Sequence, residues 1–81
     1  MKFSEIVEKY ESESNGRVIF IVIDNENNVM GEYELEEYNK GDEESVNTYN
    51  AYSNRNCKVT EITYHMMWTK VTCEVLESEV K

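Results

Sequence analysis

Seventeen of the 81 residues are Asp or Glu, against eight Lys or Arg, two Cys and a single His. Whatever chemistry this chain does must run through carboxylates. Nine of them, Asp24, Glu26, Glu32, Glu34, Glu36, Glu37, Asp42, Glu43 and Glu44, fall between positions 24 and 44 beside one base, Lys40. That segment carries −8 of the formal −9, and the other sixty residues, with eight acids and seven bases, carry −1. Paired carboxylates do acid–base catalysis only where an environment drives their pKa values apart. Spread along an open segment they make a charged contact surface instead. Glu32, Glu34 and Glu36 alternate, so on an extended strand they project from one face at roughly 6.5–7 Å intervals. Successive phosphates of a nucleic-acid backbone are comparably spaced. Like charges this close repel, and a cationic partner relieves the repulsion. The other use of such a row is to keep a small domain soluble and to discourage edge pairing.

Other reaction chemistry is hard to assemble. His65 would need a Ser or Cys beside it and an orienting acid to activate a nucleophile, and nothing in the spacing supplies them. Asp24-Asn25-Glu26-Asn27-Asn28 opens like a calcium loop, but the EF-hand pattern then needs Gly at its sixth position and Glu at its twelfth. Val29 and Leu35 stand there. Gly16, Gly31 and Gly41 are too scattered for a phosphate loop, and Cys57 and Cys73 make neither a CxxC pair nor a zinc spacing. No catalytic residue, metal ligand set or cofactor site is expected, so the chain is not read as an enzyme. The cysteines read as reduced, small core or edge residues, with a bridge between neighbouring strands as the alternative.

The remaining contact candidates are apolar. Met66, Met67 and Trp68 stand together near a suspected hairpin tip. Trp and Met are enriched in interface cores, and flexible Met adapts to its partner; the alternative is that the three line the core. Tyr33 and Tyr38, beside the acidic run, join an apolar body to a polar tip and are candidate anchors.

These residues need elements to position them. Phe3, Ile6, Val7 and Tyr10 recur at helical spacing, with Ser4 as N-cap and Asn15-Gly16 as a left-handed stop. A helix over about 4–13 follows. Arg17 to Asp24 is an apolar, β-branched strand with both faces greasy, hence central and covered on both sides. After a polar loop, Val29 to Tyr38 alternates and pairs back on it as an antiparallel hairpin. Asn39 to Asp42 is a turn. Residues 43–54 read as a loop with at most one or two helical turns, a short second helix. Cys57 to Tyr64 and Lys70 to Leu76 make a second hairpin, and Glu77 to Lys81 a frayed tail. The expectation is one small acidic α+β domain spanning 1–81: an N-terminal helix packed on a four-stranded antiparallel sheet of two hairpins.

A chain this short buries only about 60% of its unfolded surface, enough for one thin core. No stretch approaches the roughly 18 apolar residues of a membrane span, and the N-terminus lacks an apolar signal-peptide core, so a cytoplasmic place and no membrane partner are expected. A −9 charge repels phosphate and argues against direct nucleic-acid binding. A basic protein surface suits it better.

The size, the Asn- and Glu-rich composition, the amphipathic first helix and the Glu-bearing hairpins together resemble the small acidic inhibitors encoded by phages and mobile elements, anti-CRISPR proteins among them. The opening Phe3-Ser4-Glu5-Ile6-Val7-Glu8-Lys9 and the strand Arg17 to Asp24 are similar to the first helix and strand of phage uracil-DNA glycosylase inhibitors. The later part departs from those inhibitors, so no functional residue is carried over from them. The wider resemblance implies a nucleic-acid mimic in the cytoplasm of a host bacterium, occupying the basic channel of a nuclease such as a CRISPR effector. Carboxylates would meet the Lys and Arg side chains that hold phosphates. Contact is expected from Glu32, Glu34, Glu36 and Glu37, then Asp42, Glu43 and Glu44, with Tyr33, Tyr38, Met66, Met67 and Trp68 as anchors. Two other readings stand beside it. One is a homodimeric structural or assembly module, formed through a sheet edge or through Met66 to Trp68. The other is a sponge for a nucleotide signal, with Arg17, Arg55, Lys58 and Lys70 as its basic pocket.

Overall fold

The computed structural model describes residues 1–14 and 16–76. Asn15, half of the expected helix stop, and the expected frayed tail lie outside those residues. The elements are α1 (Phe3–Glu13), β1 (Arg17–Ile23), β2 (Val29–Glu34), α2 (Leu35–Asn39), α3 (Glu43–Tyr52), β3 (Cys57–Tyr64) and β4 (Trp68–Val75). The fold is α+β. Its four strands lie in the order β2-β1-β4-β3.

Both expected hairpins form, β1 with β2 and β3 with β4, each antiparallel. Between them, however, β1 and β4 run parallel, so the sheet is mixed rather than wholly antiparallel. The cause is the segment read as a loop. Residues 43–52 form a ten-residue helix, and ten residues at 1.5 Å each span about 15 Å. That is enough to carry the chain from the end of the sheet where β2 stops back to the end where β2 began. β3 then starts at that far end, β4 returns beside β1, and the two must point the same way. Asp42 caps α3 by accepting the Ser45 N–H at 3.2 Å.

α1 matches its expected range, but Ser4 is not its cap. Lys2 holds that position, and its N–H donates to Glu5 Oε1 at 2.7 Å. The N–H groups of Phe3 and Ser4, which a helix start leaves without partners, donate to the carbonyls of Arg55 and Ser53, each at 3.0 Å. The start of α1 is thus tied to the α3–β3 connection. Nor does Gly16 supply a left-handed stop. Ser14 ends the helix in extended backbone, and Gly16 is required for another reason: a Cβ there would lie 2.7 Å from the Met67 carbonyl oxygen.

β2 is shorter than its alternation suggested. It ends at Glu34, whose N–H donates to Ser45 Oγ at 3.3 Å. Leu35-Glu36-Glu37-Tyr38, all residues that a helix tolerates well, then turn into α2. Gly41, at φ 84°, closes α2 by donating its N–H to Tyr38 O at 3.0 Å.

α1 and α3 lie on the same face of the sheet. Phe3, Ile6 and Val7 of α1, Val18, Phe20 and Val22 of β1, Tyr33 of β2, Cys57 of β3 and Val71, Cys73 and Val75 of β4 form one core. At roughly 25 cal/mol per Å² of apolar surface, each of the larger side chains contributes about 1.5–3 kcal/mol. α3 approaches β2 closely because Gly31 has no side chain, and Thr48 sits directly over it. Covering of β1 is one-sided: Ile19 and Ile21, which alternate with the core residues, are only half-buried on the opposite face. Among the described residues no helix is long and apolar enough to cross a membrane.

Candidate functional site

The acids that the sequence strings along one strand are spread by the fold over three elements. Glu32 projects from β2. Glu36 and Glu37 belong to α2, not to the strand, so the regular row stops at Glu34. Asp42 caps α3, and Glu43 and Glu44 fill its first turn. The bend from β2 through α2 to α3 folds this segment back on itself. It sets Glu32, Glu37, Asp42 and Glu44 around one depression of about 110 Å³ at the β2 edge, with Ser45 and Glu34 in its wall. Lys40 stands only at the margin, 4.0 Å from Glu37.

Glu34 has another role. Its side chain is 9% exposed. It receives a two-pronged contact from the Arg17 guanidinium, Nε to Oε2 and Nη2 to Oε1, the latter at 2.7 Å. Glu36 lies 3.7 Å from the same Nε. Hydrogen bonding to Glu34, reinforced by the charges of Glu34 and Glu36, raises the Arg17 pKa further above its ordinary value. Glu34 is thus a buried ion-pair partner rather than a free contact acid, which corrects its place in the expected row.

Tyr33 is corrected in the same way. It is 3% exposed, with its ring 5.0 Å from that of Tyr49 and 6.0 Å from those of Phe3, Phe20 and Tyr38. It is a core residue and cannot anchor a partner. Tyr38 packs half-buried against that cluster. The exposed phenol is Tyr64, at 76%.

Met66 and Met67 form the tip of the β3–β4 hairpin. Met66 is fully exposed and Met67 is 76% exposed, so the pair does not line the core. The His65 N–H donates to Trp68 O across the tip at 2.9 Å. Trp68 opens β4 half-buried, and its ring stacks on His65 at 3.9 Å and 12°.

Acids and methionines meet at one end of the sheet. β2 stops there, β1 starts there, and the β3–β4 tip lies there too. A chain of contacts marks the place: the Met67 carbonyl against Gly16, then Arg17 to Glu34 and Glu36. α1 also ends here and brings acids that the segment count did not single out. Glu11 and Glu36 line a groove with Leu35, and Glu13 lines another with Tyr10 and Tyr64. Partial burial raises the Glu11 carboxyl above its usual range. In the sequence the first sixteen residues hold four acids, Glu5, Glu8, Glu11 and Glu13, against Lys2 and Lys9, a balance too mild to stand out. Only the direction of α1 carries Glu11 and Glu13 to the acidic end.

The other candidate sites do not assemble. Asp24 closes its own turn, accepting the Asn28 and Glu26 N–H groups at 2.9 and 2.8 Å on Oδ1 and the Asn28 amide at 3.1 Å on Oδ2. The Asn28 bonds lower its pKa. Among the described residues no group of three His, Cys, Asp or Glu side chains is placed to hold a metal ion. Arg17 is occupied by carboxylates. Lys58 stands opposite Glu74 and Lys70 opposite Thr63, towards different ends of the β3–β4 pair, so the four bases make no common pocket. Cys57 and Cys73 are free and buried. No family model, curated protein or solved structure matches the chain.

Proposed function

We propose that this chain is a non-catalytic protein inhibitor of the phage type. It sets its acidic end on the basic nucleic-acid-binding surface of a host-defence protein, foremost a CRISPR effector nuclease. One observation carries the reading: Glu32, Glu37, Asp42 and Glu44 converge at the same end of the sheet as the exposed Met66 and Met67. Two strand spacings, roughly 10 Å, separate β2 from β4. An interface of about 800 Å² per partner is some 30 Å across, so both groups fit under one footprint. The carboxylates replace phosphates on Lys and Arg, steer the encounter and set its register. The methionines supply apolar anchors, where most of the affinity of an interface resides.

The test is affinity capture from cells carrying CRISPR and other defence systems. A nuclease held at about 50 mM salt and released at about 500 mM is expected, as for a protein that competes with phosphates. The combined Glu32→Lys, Glu37→Lys and Glu44→Lys variant should lose it; the ties of these acids to the fold are slight, an exposed 4.0 Å pair of Glu37 with Lys40 and the place of Glu44 in the first turn of α3. Glu34 is kept, since Lys there would face Arg17. Asp42→Ser removes a charge but keeps a capping oxygen, so it should weaken capture without loosening α3. Retained capture by the triple variant, or no nuclease at low salt, would overturn the reading.

A further inference from the structure

The helices leave one face of the sheet bare, and the register fixes what it shows. Val18, Phe20 and Val22 point to the helices, so Ile19 and Ile21 of β1 take the bare face and are half-buried there. Glu32 flanks them on the β2 side, opposite Ile21, and Lys70 flanks them on the β4 side, opposite Ile19. By the same alternation this face carries three bases, Arg17, Lys58 and Lys70, against four acids, Glu32, Glu34, Glu61 and Glu74. It is nearly neutral in a chain of −9. Two copies of so acidic a protein repel least here. Among the described residues, neither Glu32 nor Lys70 forms an ion pair within its own chain.

We propose that this face pairs with the same face of a second copy, about a two-fold axis running along β1. Such an interface must be self-complementary, and the charges select the axis. Rotation about the β1 direction lays β2 of one copy over β4 of the other, bringing Glu32 towards Lys70 twice. Their levels differ by two residues, roughly 7 Å along the strands, which a lysine side chain spans. Rotation about the perpendicular axis would lay Glu32 on Glu32. Isoleucines meet on the axis, with the sheets about 10 Å apart. Three overlapping strands seven residues long offer roughly 14 by 23 Å per copy. That is roughly 320 Å² of sheet per copy, well under the roughly 800 Å² of a standard interface, so only weak association, with Kd in the range of hundreds of micromolar, is expected. The axis also points both acidic ends the same way. Ile19 and Glu32 also line the acidic depression, so the two surfaces adjoin, and sedimentation of the chain alone reads the pairing apart from any captured partner.

Sedimentation equilibrium of the intact chain tests this, in about 150 mM salt, where charges beyond roughly 8 Å are screened. The mass should rise from monomer towards dimer between about 20 µM and 2 mM. Ile21→Glu should hold it at monomer, with far-UV circular dichroism unchanged. Lys70→Glu, a half-exposed position, should weaken association by about tenfold or more, and adding Glu32→Lys should restore it. A monomer at every concentration overturns the proposal. So does a dimer indifferent to both Ile21→Glu and Lys70→Glu, because another surface then forms it.

Discussion

Cys57, Cys73 and Tyr33 hold their protons because the core gives their anions no water. Cys73 is wholly buried, and burial, with Cys57 nearby, pushes its thiol up to about 12. Burial likewise raises Cys57 and Tyr33 above their ordinary values. These acids ionise more readily unfolded, near 8.5 for Cys and 10 for Tyr. In that window the unfolded chain binds fewer protons than the native one, so the slope of stability with pH is negative. Stability should be full below about pH 8 and fall through pH 9–11, by up to about 1.4 kcal/mol per pH unit for each group that ionises only on unfolding. Urea unfolding at a series of pH values measures it, and Cys73→Ala should flatten the early part of the slope. A flat profile to pH 11 would contradict this burial. At this scale the sequence was readable in part. Cysteine in a strand of alternating apolar residues points inward, whereas Tyr33 and Tyr38, both near the acids, look alike until the strand ends between them.

The elements whose apolar pattern is strong appear where their residues placed them: α1, β1, β3 and the start of β2. α3 was illegible because its buried positions are Ser45 and Thr48. Small polar residues face inward there because the helix lies close to the strand, and Gly31 is what lets it lie close. A Cβ at Gly31 would overlap Thr48 Oγ1, so Gly31→Ala should cost about 1–3 kcal/mol by overpacking. Thr48→Ala in the same chain should recover much of that, because it removes the overlapping oxygen and methyl. A double-mutant cycle in urea should give a coupling of about 1 kcal/mol or more. Additive costs would mean that the helix does not rest on the glycine. The parallel pairing of β1 and β4 was hidden for the same reason: without α3 nothing in the sequence says which end of the sheet β3 starts from.

At the scale of the whole molecule, charge sets stability and partner binding against each other. The sequence located the acidic segment but not its shape. A strand row would have spaced the acids apart, whereas the bend into α2 and α3 crowds Glu32, Glu37, Asp42 and Glu44 around one depression. Net charge this far from zero works against the compact state, and crowded carboxylates with only Lys40 at their margin add to that. Relieving the crowding should therefore stabilise the fold. Raising NaCl from about 20 to 300 mM shortens the screening length from over 20 Å to about 6 Å. The midpoint of thermal unfolding should rise by a few degrees, as a gain of about 1 kcal/mol does in a domain this small. Glu32→Gln with Glu44→Gln, which lower the charge without setting a lysine at the start of α3 or beside Lys40, should bring much of that gain at low salt and leave less for added salt to supply. The two changes should also loosen the captured partner, the usual conflict where a site carries repulsion that only its ligand relieves. A surface kept merely for solubility would show the thermal gain and no loss of capture, so calorimetry and capture on the same double variant separate the two uses of the acids.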